Sequence, residues 1–413
     1  MLIGASGVLF HANINVLNVI ILLRNGVNMK KIAVLGATGS VGRQALDVAE
    51  SREYAVDLIS ANSSVKATEE IARKFKPRFV AMGSEDAARS LAISLADTDI
   101  KVFAGERGIC DAIGISDAEV VINSIIGEAG LMPTLAAIDS DKRLALANKE
   151  SLVIAGDIVM SRARERGCEI IPVDSEHSAI FQSLRAGRQN EIKRLLLTAS
   201  GGPFFGKTPE ELSKVTLEET LAHPTWKMGS KITVDSATLM NKGFEVIEAA
   251  HLFGVSTDNI SVIVHRESIL HSAVEYIDNS VIAELSVPDM RMCVQYAVDY
   301  PCRMQSASGQ LDLIGLGALT FREPDREAFP LLSLAARAHS LGGGMCAVMN
   351  AADEIAVSAF LDRRIGFTDI AKIVTVTFEK MLDARSAISL EDIICADRRA
   401  RALAESLVKE IKY

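Results

Sequence analysis

Two carboxylates, Asp174 and Glu176, stand two positions apart, just after the apolar run Ile170-Ile-Pro-Val173. The run reads as a short buried strand, and if its direction persists both side chains point to one side. Carboxylates held together repel unless a proton or a cation sits between them. An all-oxygen pair suits a hard divalent cation such as Mg²⁺ or Mn²⁺; a solvated turn, helped by Ser175, is the alternative. A second group, Ser236, Asn241, Lys242 and Glu245, falls within ten residues. On a helix, Asn241 and Glu245 share a face at i and i+4, with Lys242 one step round. Such a group could bind both phosphate and metal, although each member alone is also consistent with a solvated helix face.

Three further stretches carry polar groups at the ends of apparent strands. Asn148-Lys149-Glu150-Ser151 follows the strand Leu144–Ala147, where ligands lie in open α/β sheets; a capped helix start is the other reading. Ser200-Gly201-Gly202-Pro203 follows Lys193–Thr198 and reads as an anion nest or a tight turn. His223-Pro-Thr-Trp-Lys-Met-Gly229 holds the single tryptophan of the chain, either as a closing lid or as a loop with Trp226 packed on the core.

The elements that must position these groups begin at Lys31–Leu35, a buried parallel strand followed by Gly36-Ala37-Thr38-Gly39-Ser40-Val41-Gly42 and a helix. Strand, glycine turn and helix in this order form a dinucleotide cradle, with backbone N–H groups free to approach a pyrophosphate. The second strand, Ala55–Ser60, runs into Ala61-Asn62-Ser63 without a carboxylate. An acidic residue placed there would favour a bare ribose, so its absence points to NADPH. Further βα alternation runs through Phe79–Met82, Lys101–Phe103 and Val120–Ser124. Beyond it, Val262–Val264, His271–Tyr276 and Val281–Ser286 read as strands of an α+β sheet.

The expected fold class is therefore α/β, with three domains: an N-terminal Rossmann-like parallel-sheet domain (29–174), a central α+β catalytic domain (175–300) and a C-terminal helical domain (329–413). A linker rich in Gly, Pro and Ser (301–328) separates the last two. Residues 1–28 match no element of this fold and carry no targeting signature. They are expected to be a loosely held, dispensable extension, with Met29 the functional start.

At 413 residues, with 49% apolar and 23% charged content, the composition is that of a soluble globular protein. A net charge of −9 argues against general nucleic-acid or anionic-membrane binding. Any anionic substrate must meet a local basic cluster. The six cysteines include no CxxC pair; they read as reduced core residues of a cytoplasmic protein.

Together these motifs resemble the 1-deoxy-D-xylulose 5-phosphate reductoisomerase family from Met29 to the C-terminus. The likeness rests on Gly36–Val41, Leu146–Leu152, Pro172–His177, Ser200–Pro203, His223–Gly229 and Val234–Gly243 with Glu245. It implies an NADPH- and divalent-metal-dependent rearrangement and reduction of a sugar phosphate, with Mn²⁺, Mg²⁺ or Co²⁺ as the metal, and a homodimer. It implies Asp174, Glu176 and Glu245 as metal ligands, and Lys149 with them as catalytic groups. Ser175, Lys149 and Glu176 would contact the sugar, with Glu245 beside them. Ser200, His223, Ser236, Asn241 and Lys242 would hold the phosphate. Thr38, Gly39, Ser40, Val41, Asn148, Glu150 and Gly229 would contact NADPH. Ala61-Asn62-Ser63 matches the family's 2′-phosphate loop but lacks a basic residue often found there, and Asp353 in Asn350–Glu354 stands where the family usually has Asn.

Two rivals have other signatures. An aldehyde or semialdehyde dehydrogenase working through a thiohemiacetal needs a cysteine in a site motif, and none of these motifs contains one. A non-catalytic NADPH sensor has no use for three separated carboxylates beside a phosphate cluster.

Overall fold

The structure, a computed structural model, describes residues 29–226 and 228–411; the expectation on residues 1–28 lies outside them. Seven short runs of Val, Ile, Leu and Ala form one parallel sheet: β1 (Lys31–Leu35), β2 (Ala55–Ala61), β3 (Phe79–Met82), β4 (Lys101–Ala104), β5 (Val120–Asn123), β6 (Arg143–Leu146) and β7 (Ile170–Pro172). Their order is β4-β3-β2-β1-β5-β6-β7. Continuous apolar runs suit strands covered on both faces, and separate apolar clusters pack on the two sides of this sheet. Strand order reverses between β1 and β5, which makes their carboxyl ends the switch point where such sheets bind ligands.

Register brings the chemistry together. Leu35 pairs with Asn123, Asn123 with Leu146, and Leu146 with Pro172. The glycine turn, Ser124, Lys149 and Asp174 therefore all leave the sheet at one level. The strand does not persist beyond Pro172, however. Asp174 stands just before the helix Ser175–Ser183, so Asp174 and Glu176 are on its first turn rather than on one side of a strand. The reason is local: Ser175 and Glu176 open a helix readily, and the N-terminal dipole favours a carboxylate there.

A second sheet holds β8 (Ile192–Ala199), β9 (Ile260–Val264), β10 (Leu270–Tyr276) and β11 (Val281–Leu285), in the order β11-β10-β8-β9. The helices Ser230–Ala237 and Met240–Phe253 lie beside it. Nearly the whole of the second is buried, including Lys242, Glu245 and Glu248. Gly243 allows its close approach to the helix Leu331–Leu341: a Cβ there would stand 2.7 Å from Ala335 Cβ. The C-terminal helices Met345–Leu361, Phe367–Lys380 and Leu390–Glu410 complete a bundle continuous with this core.

Three details go beyond the expectations. The last helix of the 175–300 span, Met290–Asp299, packs on the helix Ser40–Ser51 and places Val294, Ala297 and Val298 in the N-terminal core. The 301–328 segment is not purely a connector: Arg322 exchanges two backbone hydrogen bonds with Val264, at 2.8 and 2.9 Å. Only Cys293 and Cys346 are buried, while Cys302 and Cys395 are exposed.

Candidate active site

The aligned strand ends and the second sheet enclose a cavity of about 410 Å³. Its wall includes Gly39, Ser40 and Val41 from the glycine turn, and Lys149, Glu150, Asp174, Ser175 and Glu176 from the ends of β6 and β7. Ser200, His223, Gly229, Ser236, Asn241, Lys242 and Glu245 close it from the other side. Residues far apart in the chain thus meet at one cavity.

At the centre, Lys149 Nζ lies 2.6 Å from Asp174 Oδ2 and 3.0 Å from Glu245 Oε1, and donates to Asn241 Oδ1 at 2.8 Å. Lys242 Nζ sits 2.7 Å from Glu176 Oε1 and also contacts Glu245. Asn241 Nδ2 donates to Glu245 Oε1 at 2.6 Å, the i, i+4 contact read from the sequence. Ser175 Oγ donates to Glu176 Oε2 at 2.6 Å.

Burial alone would discharge Lys149, but Asp174, Glu245 and Glu248 outweigh it and hold the ammonium well above its ordinary range. Burial opposes the charge on Asp174 too, yet Lys149 and His177 bring that carboxyl down to about 2. Glu245 is raised, by burial first and by the Glu176 charge second. Asp174, Glu176 and Glu245, with Glu248 also acting on Lys149, face only the two ammonium groups of Lys149 and Lys242, an excess of acidic groups that a cation would relieve. Ligand atoms of Asp174, His177 and Glu245 already lie within 4.8 Å of one another. The donor set is mainly oxygen, as a hard divalent ion requires.

The phosphate-binding candidates gather to one side. Gly201 and Gly202 take positive φ angles of 77° and 65°, and Gly202 N donates to Ser200 Oγ at 3.3 Å. A Cβ on Gly202 would meet Ser236 O at 2.6 Å. The double glycine is therefore a tight turn that lets Gly202, two residues after Ser200, pack against the Ser236 carbonyl. His223 Nδ1 accepts from the backbone N–H of Thr225 and Trp226 at 3.2 and 3.0 Å. That fixes the proton on Nε2, which donates to Ser200 Oγ at 3.0 Å. Burial, with Arg266 nearby, lowers His223 to about 4 and keeps it neutral.

Not every expected residue lines the cavity. Asn148 is buried with its amide donating to Ile125 O, Gly127 O and Glu150 Oε2. It clamps the turn rather than facing a ligand. Thr38 lies outside the lining, its carbonyl accepting from Arg43 Nε at 3.0 Å. Ala61 ends β2, on the side of β1 away from β5, and Asn62 and Ser63 follow it; none of the three borders the cavity. Trp226 is half-buried with its ring 6.1 Å from that of His271, so it belongs to the cavity wall and not to the core.

Among the wall residues, His271, Lys231 and Asp235 have no role in the sequence reading; nor do His177 and Arg266, which stand outside the lining but touch residues of the site. His177 was within reach, since a helical turn starting at Ser175 puts it at i+3 from Asp174. Arg266 gave no signal; its guanidinium holds Ser200 O at 3.2 Å and Gly202 O at 2.6 Å.

Comparison with known proteins agrees over the length of the fold. The family model for 1-deoxy-D-xylulose 5-phosphate reductoisomerase matches residues 32–156, and two models for C-terminal domains of the same enzyme match 170–253 and 285–403. The reductoisomerase of Acetivibrio thermocellus is 50% identical over 384 residues, covering 92% of this chain and 100% of its own. That of Caldanaerobacter subterraneus subsp. tengcongensis is 49% identical over 376 residues, covering 90% and 98%. The Zymomonas mobilis enzyme, solved with NADPH, superposes with a TM-score of 0.85 at 41% identity, covering 93% of this chain and 100% of that one. A DOX-P reductoisomerase solved with NADPH, fosmidomycin and magnesium gives a TM-score of 0.87 at 38% identity, covering 92% and 98%.

Proposed function

The chain belongs to the 1-deoxy-D-xylulose 5-phosphate reductoisomerase family, and on that premise we propose how its own residues divide the work. The reaction is the NADPH- and divalent-metal-dependent conversion of 1-deoxy-D-xylulose 5-phosphate to 2-C-methyl-D-erythritol 4-phosphate. Skeletal rearrangement precedes hydride reduction, in non-mevalonate isoprenoid precursor synthesis. Bound metal supplies Lewis acidity toward adjacent substrate oxygens, and NADPH supplies the hydride.

Asp174, Glu176 and Glu245 are the metal ligands in this reading. The single observation behind it is that all three buried or half-buried carboxylates converge on just two ammonium groups. Lys149, kept charged by its carboxylate neighbours, donates to a substrate hydroxyl and stabilises negative charge as it develops there. Lys242, Ser200, Ser236, Asn241 and neutral His223 hold the phosphate, whose distance from the reacting carbons lets its binding energy serve orientation. Ser175 orients Glu176 and contacts the sugar. Gly39, Ser40, Val41, Glu150 and Gly229 border the NADPH path, and Ala61–Ser63 take the 2′-phosphate end. The N-terminal unit thus binds cofactor, the central unit binds metal and substrate, and the helical unit buttresses both.

A homodimer is supported by the free edge of β11, where Val281, Ile282 and Leu285 are exposed, with Ile277 exposed in the turn before it; an unpaired apolar edge is a template for a second copy. The free cysteines suit a reducing cytoplasm, and no helix among the described residues is long and apolar enough to cross a membrane. Mn²⁺ binding tests the ligand set. Loss of the free-ion paramagnetic signal on adding protein should weaken in each of Asp174→Asn, Glu176→Gln and Glu245→Gln, with unchanged circular dichroism. A Glu245→Gln protein that takes up Mn²⁺ like wild type refutes the assignment.

A further inference from the structure

One side of the cavity ends in a buried charge cluster of which the scheme above uses only Glu150. Lys231, on the first turn of the helix Ser230–Ala237, places its Nζ 2.7 Å from Asp235 Oδ2, 3.4 Å from Asp353 Oδ2 and 3.7 Å from Glu150 Oε1. The same ammonium lies 4.8 Å over the Phe244 ring and is shut off from solvent. Its three carboxylates come from three parts of the fold. Asp235 is on its own helix, Glu150 opens the helix Glu150–Arg166, and Asp353 belongs to Met345–Leu361 of the C-terminal bundle.

One ammonium cannot neutralise three carboxylates. Asp353 is 0% exposed and Asp235 2%. Neither oxygen of Asp353, nor Asp235 Oδ1, receives a hydrogen bond from any donor, and the two carboxyl groups are held side by side by the one Lys231 ammonium they share. Two ionised carboxylates so placed in a dry site repel, and a proton on one of them turns the repulsion into an O–H···O bond. The other charged neighbours of Asp353 are accounted for. Glu354, on the same helix, pairs with Arg401 at 2.8 Å, and Arg401 also holds Asp397 at 2.7 Å, both from Leu390–Glu410. Asn350 donates to Glu354. Among the described residues this leaves Lys231 as the cation that faces Asp353.

We propose that Asp353 is a positioning residue for substrate binding: as a neutral acid it donates a hydrogen bond to Asp235 and pins the Ser230–Ala237 helix, with Ser236 near its end, to the C-terminal bundle. Burial, and then the charge of Asp235, push the Asp353 carboxyl well above the ordinary carboxylate range. Asp235 is raised by burial too, with Lys231 opposing. The consequence for the site is direct, because Ser236 O bears on the Gly202 turn that carries Ser200. A helix released from the bundle moves Ser236 away from Ser200 and loosens the grip on phosphate. This rests on the reading that Ser236 contacts the substrate phosphate.

The sign with pH follows. The raised carboxyl binds its proton in the folded state over a range where the unfolded chain has lost it. Its hold is complete at low pH and is lost as pH rises through the folded value. Asparagine keeps the shape and a donor but cannot ionise.

The test uses the full chain with NADPH and Mg²⁺, measuring KM for the sugar phosphate, kcat and melting midpoint across pH. Asp353→Asn should bind substrate like wild type at neutral pH, whereas Asp353→Ala should raise KM about tenfold, the effect of roughly one lost buried hydrogen bond, with kcat much less affected. The wild-type KM should climb on the alkaline side, and that of Asp353→Asn should not. The proposal is overturned if Asp353→Asn loses binding as badly as Asp353→Ala, which would make Asp353 an anion serving Lys231. It is equally overturned if the wild-type and Asp353→Asn profiles superpose. Should Asp353→Ala fail to fold, the comparison of Asp353→Asn with wild type across pH decides alone. Ser236→Ala separates the two layers: an unchanged KM there removes the phosphate reading, while the pH dependence of melting in Asp353→Asn against wild type still reports the shared proton.

Discussion

Gly243→Ala should cripple catalysis while leaving the protein folded. Gly243 lies between Lys242 and Glu245 on the helix Met240–Phe253, and an added Cβ would stand 2.7 Å from Ala335 Cβ. Non-bonded carbons rest about 3.5–4.0 Å apart, so the helices must part by about 1 Å. Overpacking of this kind costs about 1–3 kcal/mol, and alanine returns about 1 kcal/mol of helix propensity. The net loss of about 0–2 kcal/mol leaves a folded protein. The same displacement carries Asn241, Lys242 and Glu245 away from Lys149 and Asp174, and misplacement by about 1 Å can cost about 10²-fold in rate. Thermal melting and NADPH oxidation measure the two effects. Adding Ala335→Gly removes the opposing methyl and should restore most of the activity. Wild-type kcat/KM in Gly243→Ala, or no recovery in the double variant, would refute the idea that this helix contact sets the site geometry.

Two other outcomes follow from the cofactor and loop readings. NADPH should be preferred strongly over NADH, because β2 ends in Ala61-Asn62-Ser63 without a carboxylate; equal kcat/KM values for the two would contradict this. Trp226, the single indole, should change its emission and lose quencher access on substrate binding if its loop closes, and Trp226→Ala should lower kcat/KM with little change in melting. Emission unchanged by ligand, with a stability loss of roughly 3–5 kcal/mol as for core tryptophans, would instead make the loop a fixed wall.

The parallel sheet was legible because each strand is a continuous apolar run closed by a turn, and the Asn241–Glu245 contact because i, i+4 spacing needs only a helix. The alignment of Leu35, Asn123, Leu146 and Pro172 was not, since strand register depends on pairing partners distant in the chain. The first turn around Glu176 was misjudged for a local reason: a strand-end carboxylate pair and a helix start look alike until the backbone turns. Asn148 is legible as a helix cap, and its Oδ1 accepts from Ser151 N at 3.0 Å, but its amide bonds to Ile125, Gly127 and Glu150 depend on partners the sequence does not place. The Lys231–Asp235–Asp353 cluster was beyond reach, because nothing local in Asn350–Glu354 marks that helix face as buried against another charge.

The central claim is that this cavity performs a metal-dependent rearrangement and reduction of one sugar phosphate. NADPH oxidation followed by the loss of its absorbance, with 1-deoxy-D-xylulose 5-phosphate as substrate, tests it most directly. The account predicts turnover with Mg²⁺ or Mn²⁺, its abolition by a chelator, its recovery on restoring the ion, and a product with the branched carbon skeleton. Turnover that survives complete metal removal, or oxidation of NADPH that leaves the substrate skeleton unrearranged, would contradict it.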